Sequence, residues 1–179
     1  LHRSWIQPLY RLSYEDADEL IEYAPPQDDD LAELHDLLGV RRRWRESRGA
    51  LLMDQAEGRF RRCDEHAELE VVEPSPSRLM VAEAMILAGA VVGTLGAETG
   101  LALPYRSQLP AVLPPDSELI ALPAGPVRHA AIKRCLSRGH TGAEPSGHFS
   151  LGLSAYVQAT SPIRRYADLV VQRQLLLRL

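Results

Sequence analysis

The sequence predicts an α+β domain in which helices pack on short, mostly antiparallel strands. Three observations lead there. Residues 77–100, SRLMVAEAMILAGAVVGTLGAETG, are apolar around nearly the whole helical circumference, which demands burial in the middle of a domain. Several short runs between residues 50 and 73, and the alternating run 149–158, have strand composition and are bounded by glycine, proline or polar clusters. Helix starts are marked by small polar residues followed by acids or by proline, at Ser13, Pro74 to Ser77 and Thr160-Ser161-Pro162.

Length and composition bound the function. The chain has 179 residues, enough for one domain or a large piece of one. A net charge of −4 argues against a protein that coats nucleic acid non-specifically and leaves room for local basic patches. Among 20 basic residues only Lys133 is lysine; arginine favours bidentate phosphate contacts, although such a bias also follows genome composition. Cys63 and Cys135 are far apart and form no CxxC element, as expected of reduced thiols in a cytoplasmic protein. No amino-terminal signal is visible, and the longest apolar stretch, residues 79–95, is short for a bilayer span and carries Glu83, so no membrane partner is expected. A start at Leu1 without methionine and an end inside a helical pattern at Leu179 suggest a piece of a longer protein.

In chain order, residues 1–12 are mixed; Trp5, Ile6, Leu9 and Tyr10 form either a strand or a packed lead-in. Ser13 caps a short helix with Glu15, Asp16, Asp18 and Glu19 near its start, closed by Pro25-Pro26. Asp28, Asp29 and Asp30 open a second helix with apolar positions Leu31, Leu34, Leu37, Leu38 and Trp44. Arg41, Arg42, Arg43, Arg45 and Arg48 close it, so acids at the front and bases at the back complement the helix dipole. The triple aspartate is no metal site, because consecutive helical residues point in different directions. Residues 50–54, 59–64 and 67–73 read as a small antiparallel meander turning at Gly58 and at Asp64-Glu65-His66.

In the long helix that follows, Gly89 and Gly93 permit close backbone approach, and Glu83 must find a partner or shift its pKa. Proline-rich residues 101–125 read as an edge strand and loops with a helical turn at 117–122. Residues 126–138 are a helix with Val127, Ala130, Ala131, Cys135 and Leu136 inward, and 138–148 a loop. Cys135, His140 and His148 are too loosely spaced to indicate a metal cluster. From Phe149 to Gln158 apolar and polar residues alternate as in a strand, and a helix starts at Pro162. Its first turn carries Arg164 and Arg165 where the helix end is already partially positive, an arrangement suited to phosphate. The competing reading pairs Arg164 with Asp168 one turn on, in a solvated surface helix.

GHFSLGLSAYVQATSPIRRYADLVVQR, residues 147–173, resembles the region around the TSPIRRY motif of the RNase II/RNase R (RNB) family of exoribonucleases, and AEAMILAG, residues 82–89, resembles a helix of that family. The resemblance runs through essentially the whole chain and implies a partial RNB catalytic domain spanning 1–179. By resemblance Arg164 is the catalytic arginine that contacts the phosphate near the cleaved bond. Tyr14 matches a tyrosine lining the RNA path, although its position at a helix start also fits simple packing. Glu83 takes the place of a glutamate facing the RNA 3′ end, and Tyr156, Ser161 and Arg165 complete the RNA-binding set. ALLMD puts Met53 where the family has an aromatic base clamp; methionine lacks the stacking face, and Phe60 is a substitute candidate. Gly89 and Gln172 stand where relatives carry asparagine and histidine. Relatives hydrolyse single-stranded RNA from its 3′ end with Mg²⁺ held by an aspartate cluster. Here those ligands are expected upstream of Leu1, and the flanking cold-shock and S1-type RNA-binding modules of relatives are not in this chain. The expected function is part of a Mg²⁺-dependent exoribonuclease releasing nucleoside monophosphates; the alternative is a non-catalytic RNA- or protein-binding module derived from such a domain.

Overall fold

The computed structural model describes residues 4–8, 10–26, 29–54, 56–63 and 66–178. Leu9, Asp28, Asp64 and Glu65, which the sequence assigned to a lead-in, a helix start and a turn, lie outside the described residues. The first helix, α1 (Tyr14–Tyr23), begins with a capping box. The Ser13 hydroxyl accepts the Asp16 N–H at 3.1 Å, and the Asp16 carboxylate accepts the Ser13 N–H at 3.1 Å. Then come α2 (Asp30–Ser47), the antiparallel hairpin β1 (Glu57–Cys63) and β2 (His66–Val72), and the long helix α3 (Pro76–Thr99). A second antiparallel pair joins β3 (Tyr105–Ser107) to β4 (His140–Gly142), with α4 (Asp116–Ala121) and α5 (Pro126–Cys135) between them. The chain closes with a 3-10 turn, Phe149–Leu151, and α6 (Tyr166–Arg178). The predicted α+β class, helices with short antiparallel strands, is what forms.

Helices α1 and α3 are locked end to end. Asp18 accepts the Ser77 N–H at 2.7 Å, one of the free donors of the first turn of α3, and the Ser77 hydroxyl donates to the Tyr14 carbonyl at 3.1 Å. Burial alone would raise the Asp18 carboxyl. The Ser77 N–H, the Ser75 and Ser77 hydroxyls and the Arg78 charge outweigh it and hold the group below the ordinary carboxylate range.

By length and composition α3 is apolar enough to cross a membrane. The burial expected around its whole circumference is confined to one face, with Met80, Glu83, Gly89, Ala90, Gly93 and Gly96 buried and Val81 and Val91 exposed. Gly89 and Gly93 admit the chain at 155–157, Gly96 admits the Leu103 and Tyr105 side chains, and the Val157 N–H donates to the Gly89 carbonyl at 3.2 Å. The core beside it is Leu103, Tyr105, Ala155, Val157, Ala159, Val171 and Leu175, closed by Val92, Leu95 and Leu101.

Several expectations need correction. The alternating run 149–158 is no continuous strand. Gly152 adopts the left-handed conformation at φ 64°, and the 3-10 turn before it takes its hydrogen bonds locally, so period-two burial survives only at Ala155, Val157 and Ala159. The helix expected from Pro162 starts at Tyr166, after a turn in which the Arg164 and Arg165 N–H groups both donate to the Ser161 carbonyl. Residues 50–54 form no third strand; only the Leu51 N–H reaches a neighbour across, the Ser150 carbonyl at 3.0 Å. Residues 10–13 and Trp5 and Ile6 are exposed coil. Leu34, Leu37 and Trp44 of α2 are exposed, and its buried positions are Leu38 and Arg45. Helix α5 ends at Cys135 with Val127 and Ala130 exposed, and β4 forms within the predicted loop 138–148.

The two kinds of helical glycine predict opposite responses. A Cβ at Gly89 strikes the Val157 carbonyl and the Tyr156 ring, so Gly89→Ala is expected to destabilise the fold by about 1–3 kcal/mol. At Gly39 a Cβ meets only the Arg43 side-chain end at 3.5 Å, so Gly39→Ala should stabilise by roughly 0.5–1 kcal/mol. Urea unfolding of both variants measures the difference.

Candidate nucleic-acid interface

The turn that presents Arg164 is tied from behind. Asp168, completely buried on the first turns of α6, accepts the Ser161 N–H at 2.7 Å and the Arg165 Nη2 at 2.8 Å on the same oxygen, Oδ2. One turn further, Gln172 Nε2 donates to the Ala159 carbonyl at 2.8 Å. The pairing expected between Arg164 and Asp168 is therefore made by Arg165. Arg164 is left exposed, and its guanidinium has no hydrogen-bond partner among the described residues.

Arg164 lines an open cavity of about 440 Å³ with Tyr14 and Met53. Three segments distant in the sequence thus converge: the start of α1, the extended stretch after α2 and the turn before α6. Two further arginines, Arg59 and Arg78, line the same space, as do Asp54, Glu57 and Glu73. Asp54 is taken up by Arg42, whose Nη2 lies 2.6 Å from Oδ1. The Arg78 guanidinium stacks 4.0 Å from the Tyr14 ring centroid and reaches Glu15 at 3.5 Å. The cavity therefore offers guanidinium groups beside an aromatic ring and a thioether, the combination that holds phosphate and base together.

Glu83 sits differently from the position the resemblance implied. It is 2% exposed, and Arg45, 4% exposed, grips both its oxygens, with Nε at 2.9 and 3.2 Å and Nη2 at 2.5 Å. Arg45 Nη1 also donates to the Leu151 carbonyl at 3.1 Å, and Arg41 approaches Glu83 to 3.8 Å. The carboxylate is satisfied inside the protein and does not face the arginine-lined cavity. A smaller space of about 210 Å³ is lined by Met53, Glu83 and Arg45 together. Arg45 was not separable by sequence from the arginines around it, because its partner lies 38 residues away.

Tyr156, Ser161 and Arg165 do not line the Arg164 cavity. Tyr156 packs over the α3 glycines and meets His148 edge-on at 5.9 Å. Burial raises its pKa against the opposing charge of Arg165. Ser161 acts through its backbone, and Arg165 is engaged by Asp168. Phe60 is 82% exposed on the hairpin and does not line the cavity that Met53 lines. Burial, assisted by the Arg106 charge, lowers the pKa of His148 below its ordinary 6.5. Among the described residues no group of three or more His, Cys, Asp or Glu side chains is placed to hold a metal ion, so these residues do not fit a Mg²⁺ site.

The RNB domain family matches residues 1–122 and 116–179. The chain belongs to that family. An uncharacterized ribonuclease of Synechocystis is 44% identical over 173 residues, covering 96% of this chain and 26% of that protein. The chloroplastic/mitochondrial ribonuclease II of Arabidopsis thaliana is 34% identical over 179 residues, covering 96% of this chain and 22% of that protein. The chain spans about a quarter of the length of the curated relatives it matches. In structure it resembles Mycoplasma genitalium RNase R in complex with ribose methylated single-stranded RNA, with a TM-score of 0.73 at 20% identity, over 91% of this chain and 32% of that one. At that identity the likeness establishes the fold.

Two outcomes follow from the buried charges. Arg45→Met leaves the Glu83 carboxylate buried without its partner and should cost about 3–5 kcal/mol, whereas Arg45→Met combined with Glu83→Leu should recover most of that loss in thermal unfolding. Because the fold holds the His148 pKa down, the unfolded chain takes up that proton first. Stability from the neutral ring is present above the ordinary value of 6.5 and is lost as pH falls through the lower folded value. Melting scans from about pH 7 to about pH 5 should therefore fall more steeply in the parent protein than in His148→Gln.

Proposed function

We propose that this chain forms the RNA-holding part of a hydrolytic ribonuclease that removes nucleotides from the 3′ end of single-stranded RNA, in a Mg²⁺-dependent reaction releasing nucleoside monophosphates. The observation that carries the reading is the convergence of Arg164, Tyr14 and Met53 on one open cavity in a chain of the RNB family. The Arg164 backbone is tied and its guanidinium is unpaired among the described residues, so it is available to bind a phosphate bidentately and to stabilise charge developing on it. Tyr14, with one face covered by Arg78, offers the other for a base, and Met53 packs against the sugar or base with its polarisable sulfur. Residues 1–179 bind and orient RNA in this reading. The metal requirement rests on the resemblance, with the acidic ligands elsewhere in a longer protein. The unbridged Cys63 and Cys135 fit a cytoplasmic setting.

Digestion of 5′-labelled single-stranded RNA by the full-length protein, with and without Mg²⁺, tests the reading. Metal-dependent laddering from the 3′ end supports it. Retained RNA binding without cleavage would instead favour a non-catalytic module. In an active protein, Arg164→Ala should lower turnover by roughly a hundred-fold or more while RNA affinity changes by only a few-fold. Unchanged turnover would overturn the role given to Arg164.

A further inference from the structure

We propose that Asp168 is the positioning residue for Arg164: its buried carboxylate sets the 161–165 turn so that the Arg164 guanidinium points into the arginine-lined cavity. The inference rests on the phosphate-binding role proposed for Arg164.

The geometry behind it is specific. Asp168 is 0% exposed, and all of its hydrogen bonding runs through Oδ2, to the Ser161 N–H at the front of the turn and to Arg165 at its back. Oδ1 is buried without a hydrogen-bond partner, and so is Nε of Arg165. The Ser161 carbonyl, on the same peptide segment that Asp168 grips, accepts the Arg164 N–H at 3.2 Å and the Arg165 N–H at 3.0 Å. Fixing Ser161 therefore fixes the backbone from which Arg164 projects. Gln172, four residues on and so on the same face of α6, secures the Ala159 carbonyl just upstream.

An aliphatic side chain at 168 would avoid the cost of burying a carboxylate with one oxygen unsatisfied, and buried ion pairs are commonly no more stabilising than well-packed apolar replacements. What Asp168 provides and an apolar residue does not is a pair of directed acceptor contacts at the two ends of a turn. Between them, only Arg164 is left with a free guanidinium, so the arrangement spends Arg165 inside the protein to aim Arg164 outward.

The test is a double-mutant cycle on the full-length protein with 5′-labelled single-stranded RNA, comparing Arg164→Ala, Asp168→Asn and the combination. Asp168→Asn should lower kcat by about ten-fold or more with KM within about two-fold, since a misplaced guanidinium loses transition-state contact before it loses binding. The combined variant should be no slower than Arg164→Ala alone. Multiplicative losses, or an effect confined to KM, would overturn the positioning role. Unchanged kcat in Arg164→Ala alone would instead sink the reading of Arg164 on which it rests. If Asp168→Asn does not fold, Arg165→Gln carries the same cycle from the more accessible side of the clamp. It should reduce kcat in the same direction, again absorbed by Arg164→Ala; a raised KM with intact kcat would show that Arg165 meets RNA directly and would overturn the proposal.

Discussion

The ion pair between Arg45 and Glu83 joins three parts of the chain at one buried point. Arg45 comes from the end of α2, Glu83 from the second turn of α3, and the third contact is the carbonyl of Leu151 in the 3-10 turn. Both groups are nearly inaccessible, so neither can be exchanged for water when the other is lost. The same junction sets the path of the chain after α2. The Arg45 carbonyl accepts the Ala50 N–H at 3.0 Å, and Gly152, in the left-handed conformation, passes so close to both that a side chain would not fit. Met53 reaches the cavity that Arg164 lines because the chain leaves this junction in that direction.

A second constraint is the small-residue face of α3. Where most helices meet neighbours through side chains, α3 lets the backbone at 155–157 lie directly against its own, and the core forms beside that contact from the residues that alternate on the incoming segment. The segment then leads without interruption into the arginine turn. The position of Arg164 is thus inherited from α3 through the 155–159 stretch and corrected locally by Asp168 and Gln172 from α6.

The site combines charge with economy. Of the arginines near it, Arg42, Arg45 and Arg165 are consumed by Asp54, Glu83 and Asp168, and Arg78 lies over Tyr14. The cavity itself mixes Arg59, Arg78 and Arg164 with Asp54, Glu57 and Glu73, so it has no broad basic surface and Arg164 is its unpaired guanidinium from the turn before α6.

The sequence by itself determined the family, the α+β class, the capped helix at Ser13 and the long apolar helix with its close-packed glycines. Each of these is written in local patterns: a cap and its acid three residues on, an apolar helix, a motif of adjacent residues. Tertiary structure alone decided which arginine is buried and which is free. Arg45 looked like its neighbours in a basic run, and Arg164 and Arg165 look alike in the motif, because a side chain's fate depends on the carboxylate that packing brings to it. It also decided that 149–158 is not a continuous strand: alternation records which residues face the core, whereas pairing requires a neighbouring backbone to supply the hydrogen bonds, and β3 supplies one only near Val157, where the Arg106 N–H donates to the Tyr156 carbonyl at 2.8 Å.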